Sequence, residues 1–210
     1  MHTEYMKRAL QIPLMGAMAV MVSSCGDLAT SLNSQNFDPS IGWRDLAWIR
    51  EYWQGAMVLK GILDPEDARE AVRFCADGIV VSNHGGRQLD HGLGAIDVLP
   101  EIVAAVGGRA DVIIDGGFCR GSDIIKALAL GAASVGLGRL YAAALAAHGQ
   151  DGVARMLEVL EEELRSAMAL LGINRLADLS PDCLRPAPPV RRPGLTSAFP
   201  ALEPAPVPEN

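Results

Sequence analysis

The chain has 210 residues, half of them apolar and a fifth charged, with a formal net charge of −7. This is a globular composition with room for one good core, though short for a complete α/β barrel of about 250 residues. The acidic balance, with no basic stripe to neutralise phosphates, excludes general nucleic-acid affinity. Four scattered cysteines (Cys25, Cys75, Cys119, Cys183) form no CxxC pair, which excludes a zinc pattern or disulfide framework and suits a reducing cytosol.

Residues 1–40 form an apolar segment of their own. Lys7 and Arg8 precede the apolar run Ala9 to Val22 and then Ser23-Ser24-Cys25. Alone this reads as a secretory or lipoprotein signal, too short to span a bilayer. The rival reading is an internal lid-like loop with an adaptable, methionine-rich surface. Asp38-Pro39 then marks a turn. Leu46, Ile49 and Trp53 recur at helical spacing, which predicts a helix from Trp43 to Trp53. Met57-Val58-Leu59 is a short buried strand ending at Lys60-Gly61. Asp64-Pro65-Glu66-Asp67 opens a helix that runs to about Cys75, with a capping side chain, a first-turn proline and acidic groups suited to the helix dipole. Gly78–Val81 is the next strand. It leads into Ser82-Asn83-His84-Gly85-Gly86-Arg87.

Beyond that loop, Asp97–Val106 reads as a helix and Val112–Asp115 as a strand. Gly116-Gly117-Phe118-Cys119-Arg120-Gly121 follows, with a helix over Ile124–Leu130. Ala133–Leu137 is a further strand, ending at Gly138-Arg139. A helical region starts at Leu140, and Gly152–Leu171 makes a long amphipathic helix stopped by Gly172. From about Pro186 the chain holds eight of its 13 prolines and reads as a disordered tail, residues 186–210. Strand and helix alternate four times between residues 41 and 185. That predicts an α/β fold with a parallel sheet, and chemistry at the strand ends is the pattern of a barrel top.

The four strand ends carry complementary equipment. Glycines at 116, 117 and 138 let backbone approach an anion, helix N-termini add positive potential, and Arg120 and Arg139 add planar cations. Lys60 closes a strand in an apolar setting, where an unpaired charge is costly. Histidine is the residue type best suited to general-base work, which makes His84 the candidate base. Asp90 and Asp115 are both candidates to orient its ring. Arg87 can grip a carboxylate with two parallel hydrogen bonds. Together these point to a phosphate-bearing cofactor facing a small acid.

Ser82-Asn-His-Gly-Gly-Arg-Gln88 resembles the active-site signature of the FMN-dependent 2-hydroxy acid dehydrogenases and oxidases, a family that includes glycolate oxidase, lactate oxidase and (S)-mandelate dehydrogenase. Val58-Leu-Lys-Gly61, Asp115-Gly-Gly-Phe118, Arg120-Gly-Ser-Asp123, Lys126-Ala-Leu-Ala-Leu-Gly131 and Gly138-Arg139 resemble its other motifs in the same order. The mandelate dehydrogenase branch looks most similar around Gly42–Trp53 and Leu179–Asp182. The resemblance implies a fold, the C-terminal half (about four βα units) of a TIM (β/α)8 barrel. It also implies a reaction, oxidation of an (S)-2-hydroxy acid of the lactate, mandelate or glycolate class to the 2-oxo acid. FMN takes up the electrons, and a second acceptor, which the sequence leaves unspecified, reoxidises it.

By the same resemblance His84 takes the substrate proton, Arg87 binds its carboxylate, and Lys60 stabilises negative charge on reduced flavin. Ser82 contacts the flavin ring and Asp115 the ribityl chain. Gly116, Gly117, Phe118, Cys119 and Arg120, with Gly138 and Arg139, hold the phosphate. Two departures stand out. Relatives usually carry arginine where this chain has Cys119, a loss of about 1–3 kcal/mol in FMN binding. The family's N-terminal half is also expected to be missing. The site is then completed in a homo-oligomer or by a complementing N-terminal half, or the chain is a non-catalytic remnant. In the mandelate dehydrogenase branch the lid region is membrane-associating, so the resemblance allows a peripheral inner-membrane contact for an otherwise cytoplasmic chain.

Overall fold

The computed structural model describes Met18–Met21, residues 41–89 and residues 91–187. Asp90, nearly all of the expected lid-like segment 1–40 and nearly all of the Pro-rich tail lie outside the described residues. Five parallel strands, β1 (Met18–Met21), β2 (Met57–Ile62), β3 (Gly78–Val81), β4 (Asp111–Asp115) and β5 (Ser134–Gly136), form one sheet in sequence order. Five helices follow them in turn: α1 (Trp43–Tyr52), α2 (Pro65–Arg73), α3 (Ala95–Val106), α4 (Gly121–Ala129) and α5 (Arg139–Leu171). A doubly wound sheet reverses strand order at a switch point. Here the order never reverses, which is the winding of an α/β barrel, present in part.

Local chemistry accounts for each element. Ile79 and Val81 of β3, Leu59 of β2 and Ile114 of β4 are fully buried, so the β-branched runs face packed neighbours. Leu99, Ile102 and Val106 of α3 and Ala68 and Ala71 of α2 complete the same core. At the start of α2, the Asp64 carboxylate accepts from Glu66 N at 2.7 Å and Asp67 N at 3.4 Å. Burial and the neighbouring Asp64 charge push the Asp67 carboxyl above its ordinary range. Arg50 aligns the lower ends of two strands. Its Nη2 donates to the carbonyls of Trp53 (2.8 Å) and Gly55 (2.6 Å) and its Nη1 to Asp77 Oδ2 (3.2 Å). The same oxygen accepts from Met57 N at 2.8 Å, at the start of β2.

Three features differ from the sequence reading. β1, which that reading assigns no strand, pairs with β2 from Met18↔Met57 to Met21↔Lys60. α4 begins at Gly121 instead of Ile124, because Asp123 accepts from Arg120 N at 3.1 Å and closes the first turn early. The two helical stretches expected from Leu140 and from Gly152 are the two segments of α5, but the first starts at Arg139 and the break lies at His148 and Gly149, whose backbone is not helical, ahead of the expected start at Gly152.

Candidate active site

The C-terminal ends of β2, β3 and β4 are tied together by Lys60. Its ammonium donates to Ser82 Oγ at 2.8 Å and to Asp115 Oδ2 at 2.5 Å. About a quarter of each side chain of the Lys60–Asp115 ion pair is exposed, whereas Ser82 is 3% exposed. The cation is thus held at the cavity floor instead of in bulk solvent, with a partner that offsets its desolvation.

His84 follows Ser82 on a tight turn. Its φ is +59°, with +70° at both Gly85 and Gly86, a left-handed run that non-glycine residues seldom join. Hydrogen bonds hold the turn in place. His84 N donates to Ser82 Oγ (3.2 Å), Gly86 N donates to Asn83 Oδ1 (3.1 Å), and Asn83 Nδ2 donates to Leu93 O (3.2 Å). Strain of this kind, over-determined by its surroundings, presents a side chain in one direction. The imidazole makes no hydrogen bond to Asp115, whose carboxylate is engaged by Lys60. Asp90, the other candidate to orient it, is outside the described residues.

The remaining wall comes from β4 and β5. Gly116 and Gly117 have φ of +106° and +81°. At Gly117 and at Gly138 a Cβ would point into open space, so neither position has a protein side chain to accommodate. A cavity of about 510 Å³ is lined by Lys60, His84, Gly85, Arg87 and Asp115, by Gly116–Cys119, and by Gly136–Ala142. The Arg139 guanidinium crosses it towards the His84 turn, since a Cβ on Gly85 would lie 3.8 Å from Nη2. Among the described residues Arg139 has no hydrogen-bond or ion-pair partner, so its donors are available to an anion. Described residues include no cluster of metal-ligating side chains and no helix long and apolar enough to cross a membrane.

Two predicted site residues are absent from this lining. Ser82 lies beneath Lys60. Arg120, expected at the anion end, turns away: its Nε is 2.7 Å from Glu163 Oε1 on α5, whose Oε2 accepts from Gly121 N at 2.8 Å. The cause is close packing, because a Cβ on Gly121 would come within 2.5 Å of Leu164 N. Arg120 at the head of α4 therefore meets α5 before it could reach the cavity. The sequence reading also missed Tyr141, Leu140 and Ala142. Their position in the first turn after Gly138-Arg139 was the available signal.

The Arg120 guanidinium, and then the Gly121 N–H, hold the Glu163 carboxyl below its ordinary range, against the opposing effect of burial. Between its folded and unfolded values the unfolded chain binds more protons, so this contribution is complete above the ordinary glutamate range and lost as pH falls through the folded value. Urea midpoints measured from about pH 6 down to about pH 3 should fall less steeply in Glu163→Gln than in the native chain. Parallel curves would remove Glu163 as a source of acid sensitivity.

A model of the FMN-dependent dehydrogenase family matches residues 3–186. The L-lactate dehydrogenase of Serratia proteamaculans is 58% identical over 149 residues, 71% of this chain and 39% of that protein. Its counterpart in Acinetobacter baylyi is 55% identical, with the same coverage. A soluble mutant of the membrane-associated (S)-mandelate dehydrogenase from Pseudomonas putida superimposes with a TM-score of 0.70 at 43% identity, covering 76% of this chain and 45% of that one. Mandelate oxidase with (S)-4-hydroxymandelic acid gives 0.63 at 52% identity, covering 65% and 39%. The chain spans less than half the length of the curated relatives it matches.

Proposed function

Since the chain belongs to the FMN-dependent dehydrogenase family, we propose that its strand-end cavity oxidises an (S)-2-hydroxy acid of the lactate or mandelate class to the 2-oxo acid. One observation carries this reading: Lys60, His84, Arg87, Asp115 and both glycine turns line a single cavity. FMN fits that lining. Gly117 and Gly138 leave open space for a phosphate to approach backbone, Arg139 offers unpaired donors among the described residues, and about 510 Å³ lies within the range of small-molecule sites.

Arg139 and the Gly116–Cys119 turn would hold the phosphate, Asp115 the ribityl hydroxyls, and Lys60, backed from beneath by Ser82, the ring. When bound, FMN supplies the two-electron acceptor that side chains lack. Arg87 holds the substrate carboxylate through its planar donors. His84 receives the substrate proton. Lys60, fixed by Ser82 and Asp115, sets a positive charge beside the cofactor at no reorganisation cost.

One further observation favours a second reading, a chain that keeps the constellation but binds FMN weakly. Of the cations expected at the phosphate end, only Arg139 lines the cavity. Titration of the full chain with FMN, then anaerobic addition of (S)-lactate or (S)-mandelate, separates the two. Saturable binding followed by bleaching of the oxidised-flavin absorbance is expected. FMN binding too weak to saturate would favour the second reading, and saturable binding without bleaching by any 2-hydroxy acid would defeat the first.

A further inference from the structure

We propose that Glu163 is a positioning residue for the anion-binding turn after β4, acting through Arg120 and the Gly121 N–H without touching a ligand. The inference rests on the reading of that turn as the phosphate cradle of FMN. Gly116 and Gly117 are the most permissive backbone in the turn, so its shape has to be imposed from its ends. Phe118, 7% exposed, anchors the middle. Carboxylates fix the far end. Asp123 accepts from Cys119 N (3.3 Å) and Arg120 N (3.1 Å), and Glu163 accepts from Gly121 N (2.8 Å). Three consecutive N–H groups are thereby taken, and the donors left to an anion in this turn are those of Gly116, Gly117 and Phe118.

A carboxylate this close would also repel a phosphate. The Arg120 guanidinium, 2.7 Å from Glu163, cancels that charge. Glu163 thus sets both which backbone groups face the cavity and the local neutrality around them. No motif in the sequence marks it, since it lies 42 residues from Gly121.

The test compares FMN with riboflavin, which lacks the phosphate, on the full chain by fluorescence titration. In Glu163→Gln, FMN affinity should fall about tenfold while riboflavin affinity holds. Arg120→Met, which leaves the Gly121 hydrogen bond intact, should do the same. Apo-protein melting temperatures show whether either variant has lost its fold. An equal loss for both ligands would make the Glu163 contact merely structural and overturn the proposal. Tighter FMN binding would also overturn it, since Arg120 would then be a phosphate ligand that Glu163 withholds. Native chain that binds riboflavin but shows no preference for FMN would defeat the underlying reading and the inference with it. FMN selectivity that survives both substitutions would defeat the inference alone.

Discussion

Replacing His84 by alanine is expected to slow flavin reduction by a 2-hydroxy acid about 10²–10⁴-fold while leaving FMN bound. The imidazole lines the cavity and has no hydrogen-bond partner among the described residues, so its removal orphans nothing. The turn that carries it is held by Asn83, Ser82 and backbone groups, none of which the substitution touches. Alanine and histidine are both L-residues with a Cβ, so the cost of the positive φ carries over with little change. Affinity and chemistry should therefore separate. Fluorescence titration gives the FMN Kd, and anaerobic stopped-flow absorbance gives the reduction rate. Reduction at the native rate would remove His84 from the role of base. Loss of FMN binding would make it a cofactor ligand instead.

Cys119→Arg should tighten FMN by about ten- to a hundredfold, the value of one charge-assisted contact. Cys119 is exposed and lines the cavity. Its N–H is already held by Asp123, so the backbone is set and only the side chain changes. The new guanidinium would not duplicate Arg120, which is engaged by Glu163 on the other side of the turn. It would join Arg139 across the open glycine positions. An FMN Kd equal to that of the native chain would show that phosphate binds elsewhere, and would also undercut the role given to Glu163.

What was legible in the sequence was local. β3 and β4 are short β-branched runs bounded by glycine and polar residues, and such runs announce both the strand and the place where chemistry leaves it. Lys60, His84, Arg87 and the glycine turns could be listed from those boundaries, and they do meet on one cavity. What was not legible depended on partners far along the chain. Arg120 looks equivalent to Arg139 in sequence, one residue type after one glycine-rich turn. Its direction is decided by Glu163 and by the hydrogen-sized gap at Gly121. The Met18–Met21 strand was hidden in the apolar, methionine-rich run that the lid reading absorbed. The break in α5 was legible as the gap between two helical stretches, but its position was not, because Gly149 and Gly152 are both plausible stops and the backbone turns at His148 and Gly149.

The Lys60 contacts tie together more than a charge. One ammonium reaches across three neighbouring strands, from β2 to Ser82 beyond β3 and to Asp115 at the end of β4. A slip of β3 by one residue would turn Ser82 to the opposite face, and Lys60 would lose that partner. The same side chain therefore serves as the gauge of strand alignment and as a component of the reaction centre. Selection for a correctly wound sheet would preserve this lysine in a descendant that no longer turned over any substrate.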